Sequence, residues 1–281
     1  MFRVAIAAGV IVALAGGRMT AAPSSELTGI LGSLAERTQQ YYDRFISIIC
    51  TETVRQQELR FNLAPTGKPR ETVYELSVTR NPRSKDEDDF RVGRLLQAVN
   101  GRPAMKYQEP GCTDPKTGTP EPLGFLLAKN QDRYRFTLPD AVLAGPPGTR
   151  AVDFIETPPE RVQITWRGLC FEAEGGGQEG RVWFNPATFD ILQVEVRLSK
   201  PFLVPMRPGY TGLIPAVMVE RFESTMRFSR VNFMQPDETV LLPATIETLT
   251  VFRGVPSLRT TQSLSNYRRF LSESTIRPST Y

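Results

Sequence analysis

RVWFNPATFDILQVEVRL, residues 181–198, is the stretch on which the fold turns. Arg181-Val182-Trp183-Phe184 has strand character, and Asn185-Pro186-Ala187-Thr188 is a turn sequence. Asp190, Leu192, Val194, Val196 and Leu198 then alternate with Ile191, Gln193, Glu195 and Arg197. A period of two sends one set of side chains to a core and the other to solvent. Two such runs joined by a short turn make an antiparallel hairpin.

The pattern continues on both sides. Downstream, Met218, Phe222, Met226 and Phe228 share one parity of a long segment, and Ile246, Thr248, Thr250 and Phe252 share that of another. Ser263 to Phe270 forms a last, polar-rich strand. Upstream, Val162, Ile164 and Trp166 alternate with Gln163 and Thr165, and Tyr74, Leu76 and Val78 with Glu75, Ser77 and Thr79. Phe90, Val92 and Leu96 lead into an Asn100-Gly101 turn. Long one-sided strands curl, so the expectation is a curved antiparallel sheet of roughly seven to eleven strands.

One segment breaks the period. Leu27, Ile30, Leu31, Leu34, Thr38, Tyr41, Tyr42, Phe45, Ile48 and Ile49 recur at intervals of three and four, opposite Glu36, Arg37, Gln39, Gln40, Asp43 and Arg44. This predicts an amphipathic helix over 26–49, packed by Leu27, Leu31, Leu34 and Phe45 onto the sheet. The fold class is therefore α+β, mostly β: a curved antiparallel sheet with a long N-terminal helix on its concave side.

Arg3, the apolar run Val4–Ala15 and the small residues Met19-Thr20-Ala21-Ala22 have the anatomy of a secretory signal. A run of twelve is too short to span a bilayer. Gly17 stands where a lipid-anchoring signal needs Cys. The expectation is a leader over 1–21, one domain over 22–281, and a periplasmic or secreted protein with no integral membrane segment. The net charge of +4 includes Arg3 and Arg18 of the leader, leaving +2 after cleavage. So small and even a charge gives no case for a nucleic-acid partner.

The chain has no histidine, which removes Ser-His-Asp and Cys-His catalysis and His-ligated zinc. No phosphate-binding glycine loop occurs, no metal or cofactor is expected, and Gly175-Gly176-Gly177 reads as a hairpin tip. Asp153 with Glu156, or Glu172 with Glu174, would be the candidates in a carboxylate hydrolase, against the plainer reading of exposed strand charges. Asp86 to Asp89 reads as a solvated loop and lacks EF-hand spacing. Of the three cysteines, Cys50 and Cys112 form the preferred disulfide, with Cys170 a core thiol; another pairing, or three free thiols, remain open.

The aromatic and methionine residues remain. Trp166, Trp183, Met218, Phe222, Met226 and Phe228 fall on expected apolar faces. Their default role is core, but a sheet served by one helix has surplus apolar surface that can line a ligand cavity. Phe202, Leu203, Met206, Tyr210, Leu213 and Ile214 belong to an apolar connection with three prolines and two glycines, which suits a flap over the core or a lid at a ligand mouth.

Gly180-Arg181-Val182-Trp183-Phe184-Asn185-Pro186-Ala187-Thr188 resembles the Gly-x-x-Trp-x-Asp-Pro-x-Thr hairpin of LolA/LolB-type lipoprotein-sorting proteins, with Asn185 where the family often has Asp. Leu242-Pro243-Ala244-Thr245-Ile246-Glu247 and Tyr267-Arg268-Arg269-Phe270 are similar to the back half of such proteins. The resemblance runs loosely over residues 26–275, with extra loops at 84–89 and 111–122. It implies an incomplete barrel plugged by helices, whose apolar cavity takes a lipid or lipoprotein acyl chain. The alternative is a non-catalytic envelope module with a filled core, whose partner is an envelope protein.

Overall fold

Residues 181–198 form the expected hairpin, for local reasons. Asn185 Oδ1 accepts hydrogen bonds from Ala187 N at 2.8 Å and Thr188 N at 3.3 Å, and Asn185 N donates to Asp190 O at 2.9 Å. An aspartate would offer the same acceptor oxygen, so Asn185 preserves the turn. The computed structural model describes residues 25–45, 48–80, 90–104, 123–139, 145–167, 170–206 and 216–269. The leader over 1–21, Cys112, Tyr210, Leu213 and Ile214, and the loops at 84–89 and 111–122 lie outside these residues.

Helix α1 (Ser25–Arg44) comes first, followed by β1 (Ile48–Leu59), β2 (Arg70–Arg80), β3 (Phe90–Val99) and β4 (Arg102–Pro103). Two 3-10 turns, Leu123–Leu126 and Ala128–Arg133, precede β5 (Tyr134–Thr137), β6 (Arg150–Glu156), β7 (Gln163–Arg167) and β8 (Cys170–Glu174). The chain continues through β9 (Gln178–Phe184), β10 (Ile191–Leu198), β11 (Phe202–Pro205), β12 (Ala216–Met234), β13 (Asp237–Arg253) and β14 (Ser257–Arg269). Twelve strands form one antiparallel sheet in the order β4-β3-β2-β1-β14-β13-β12-β10-β9-β6-β5, with β11 added alongside β12. That exceeds the seven to eleven strands expected. The sheet curves but does not close, and α1 lies on its concave side. Strands β7 and β8 form a separate two-stranded arm.

The helix is shorter than the periodicity suggests. Its buried stripe is Leu27, Ile30, Leu34, Ala35, Thr38, Tyr41 and Tyr42, with Glu26 in the first turn and Arg44 in the last, each matching the dipole. The spacing of three and four runs on through Phe45 to Ile48, but the sheet claims Ile48, pairing it with Val78 on one side and Arg269 on the other. β-Branched Ile48, Ile49, Thr51, Thr53 and Val54 suit a strand better than a helix. Cys50, expected at a helix end, is therefore inside β1. Asn100 and Gly101 both have positive φ, 49° and 74°, and turn β3 into β4 as expected. Gly175, Gly176 and Gly177 all have positive φ but join β8 to β9 instead of tipping a hairpin.

Gly180 shows why the quoted motif begins with glycine. A Cβ there would sit 1.9 Å from Glu195 O and 2.9 Å from Phe154 Cζ. Gly180 pairs with Val196 in β10 and Phe154 in β6, so neither neighbour can retreat without breaking the ladder. Gly180→Ala is expected to cost about 3 kcal/mol by overpacking, read as a lower urea midpoint; an unchanged midpoint would refute the close approach.

Candidate functional site

The concave face is a trough whose floor changes character along its length. Beneath α1 it is apolar. Leu34 and Tyr41 of the helix, and Phe45 just after it, join Ile48, Val78, Ile246 and Met226 of the floor in one buried cluster. The first 3-10 turn adds a second wedge that sequence reading passed over. Its Phe125 ring lies 4.2 Å from that of Phe154, and Gln131 ties Leu126 O at 2.8 Å to Leu31 O of α1 at 3.1 Å.

Two ion pairs fasten the helix to the sheet. Arg37 Nε donates to Asp190 Oδ1 at 2.7 Å, and Arg230 stands 3.6 Å from the other oxygen of this buried carboxylate. Glu26 pairs with Arg150 at 2.7 Å in solvent. Between Arg37, Tyr41, Asp190, Phe228 and Val240 the helix–sheet seam leaves a gap of about 40 Å³. That is room for a few water molecules, not for an acyl chain.

Further along the floor stands a charge pair. Arg94 Nε donates to Glu52 Oε2 at 2.7 Å and Arg94 Nη2 to Oε1 at 3.3 Å; the side chains are 6% and 0% exposed. Bidentate geometry is what allows such a pair to survive burial. Cys50, two residues before Glu52 on the same face, is a free, fully buried thiol. The expected bridge from Cys50 to Cys112 thus gives way to a core thiol, because β1 points Cys50 inward beneath the helix. Burial pushes the Cys50 thiol up to about 12, nearby Glu52 adds to the shift, and Arg94 opposes it. Tyr267 donates to Pro243 O at 2.5 Å, and burial, reinforced by Cys50 and Glu52, raises its hydroxyl far above the usual phenol range.

The six residues expected to line a cavity do not converge. Met226 and Phe228 are buried in the core, with the Phe228 ring edge-on to Tyr41 at 6.1 Å. Phe222 lies on the same face but further along, opposite Thr250. A bulge between Val219 and Arg221 shifts the parity of β12, so Val219 is buried while half-buried Met218 pairs with exposed Arg253. Trp183 belongs to the outer face: its neighbours Val182 and Phe184 enter the core, while its Nε1 donates to Glu195 at 3.0 Å beneath the Arg181 guanidinium. Trp166 sits on the two-stranded arm, its ring 5.6 Å from Phe171. Of the expected lid, Phe202 and Leu203 are in β11, paired with β12, and Met206 follows directly. Leu203 is 57% exposed.

The candidate carboxylates also separate. Asp153 faces outward in a pair with Arg181, at 2.8 Å, whereas Glu156 is buried against Arg133 at 3.1 Å. Successive odd and even positions of β6 put them on opposite faces, so they do not flank a common site. The side chains of Glu172 and Glu174 lie outside the described residues.

Together these features define an open antiparallel half-barrel with a helix seated in its trough. Among solved structures it is similar to a LolA superfamily protein from Nitrosomonas europaea, at 11% identity and a TM-score of 0.38, over 85% of this chain and 93% of that one. No family model matches the chain, and no curated protein does. Among the described residues, no helix is long and apolar enough to cross a membrane.

Proposed function

We propose that this chain is an exported, non-catalytic carrier that takes an apolar chain into the trough beneath α1, with α1 as the plug that withdraws for loading. The observation that carries this reading is the pairing of an apolar floor with a single helical cover held at the Arg37–Asp190 and Glu26–Arg150 contacts. An exposed pair such as Glu26–Arg150 adds little stability. A fourteen-carbon chain gains roughly 11 kcal/mol of gross burial at about 0.8 kcal/mol per CH₂, before ordering costs. It is thus able to compete for the surface the helix covers.

The test is titration with a fluorescent fatty acid, followed by hydrogen exchange. Saturable binding with faster exchange across residues 25–44 is expected. Arg37→Gln weakens the closed state, by about 1.5 kcal/mol for a charge-assisted hydrogen bond, and should tighten probe binding about tenfold. No saturable binding, or weaker binding by Arg37→Gln, overturns the plug.

A second reading is favoured by the gap of about 40 Å³ and by burial of Met226 and Phe228. Under it the half-barrel is permanently filled and acts as an envelope interaction module through its surface. Absence of probe binding selects this reading.

A further inference from the structure

Beyond the apolar floor, one row of the trough is polar from strand to strand. Ser224 of β12 is paired with Thr248 of β13, Thr248 with Thr260 of β14, Thr260 with Gln56 of β1, and Gln56 with Arg70 of β2. All five share the concave face, because Ser224 is two residues from Met226, Thr248 two from Ile246, and Gln56 two from Val54, with no bulge between. Neighbouring strands lie about 4.8 Å apart, so the row runs about 19 Å across the sheet. Ser224 and Thr248 oxygens are 3.4 Å apart. Thr250, Gln262 and Thr72 flank the row on the same face. Thr72 is 1% exposed, yet its hydroxyl has no hydrogen-bond partner, which a settled interior would not leave.

We propose that this row is the subsite for an uncharged, polyol-like head group of an amphiphile whose apolar tail occupies the trough beneath α1; this rests on the carrier reading above. Hydroxyls and amides both donate and accept, which matches a polyol group for group. The hydroxyl end of the row disfavours an anionic head. Arg94 is already paired with Glu52, and Arg70 stands at the far end of the row and is also engaged. A carboxylate or phosphate at Thr248 and Thr260 would be desolvated beside uncharged cross-strand neighbours, Ser224 and Gln56.

The test is displacement of the fluorescent fatty acid by 1-monomyristoylglycerol, methyl myristate and myristate. The glycerol ester is expected to bind about tenfold more tightly than the methyl ester, the effect of one to two net hydrogen bonds. Thr248→Val with Thr260→Val should shrink that preference to within about twofold, chiefly by weakening the glycerol ester. Thr248→Ser with Thr260→Ser keeps the hydroxyls and should keep the preference, which separates loss of hydrogen bonding from loss of fold. Equal binding of the two esters by the wild type, tighter binding of myristate than of the glycerol ester, or a preference that survives the valines overturns the subsite and leaves the carrier standing. Failure of all three probes to bind overturns the carrier itself, and the subsite with it.

Discussion

Arg94→Met is expected to lower the free energy of unfolding by about 3–5 kcal/mol, because it strands a buried carboxylate. Glu52 is fully buried in the middle of β1, with the 2.7 Å and 3.3 Å contacts to Arg94 as its charge compensation. Without them the protein must either hold a bare carboxylate in a low-dielectric interior or take up a proton to fold. The double replacement Glu52→Leu with Arg94→Met removes both charges, so it should fall within about 1 kcal/mol of the wild type or exceed it. Urea unfolding of the wild type, both single variants and the double variant gives the answer in one cycle. A cost below about 1 kcal/mol for Arg94→Met would mean that water reaches the pair.

Phe228→Ala is expected to cost about 3–5 kcal/mol, the full price of a buried aromatic. The ring meets Tyr41 of α1 edge-on at 6.1 Å, and the gap beside it is about 40 Å³. Met218→Ala, at a half-buried site where β12 pairs with β11, should cost about 1 kcal/mol or less. Similar costs for both would mean that Phe228 faces a pocket larger than the gap of about 40 Å³ beside it.

The strands, the hairpin over 181–198 and the helix were legible because each shows its period over many residues. What misled were places where one residue alters the count. The bulge between Val219 and Arg221 turned Met218 off the face inferred from its even number. Ile48 fitted the helical spacing, but its pairing with Val78 and Arg269 decided otherwise. Trp183 was expected on an apolar face lining the cavity, although Val182 and Phe184 occupy the inward parity of β9. Half of the buried ion pair left a trace: Glu52 alternates in phase with Ile48, Cys50 and Val54, although the helical spacing that runs on to Ile48 and Ile49 hid the strand. Its partner in β3 did not, since no local pattern reports a contact 42 residues away. The polar row was hidden for the same reason: each Thr or Gln is unremarkable in its own strand, and only cross-strand register aligns them.

Inside the sheet, β1 lies against β14, with Ile48 opposite Arg269. Every other neighbouring pair in the main sheet joins segments far closer in sequence, so this seam closes the longest loop and forms slowly. Until the residues of β14 emerge, β1 to β4 and the strands from β5 onward remain two incomplete halves with their central edges unpaired. A chain threaded across a membrane from its amino end would therefore still be loose enough to pass while most of it was in transit. It would lock only after β14 arrived, so the timing of folding is written into which two strands form that seam.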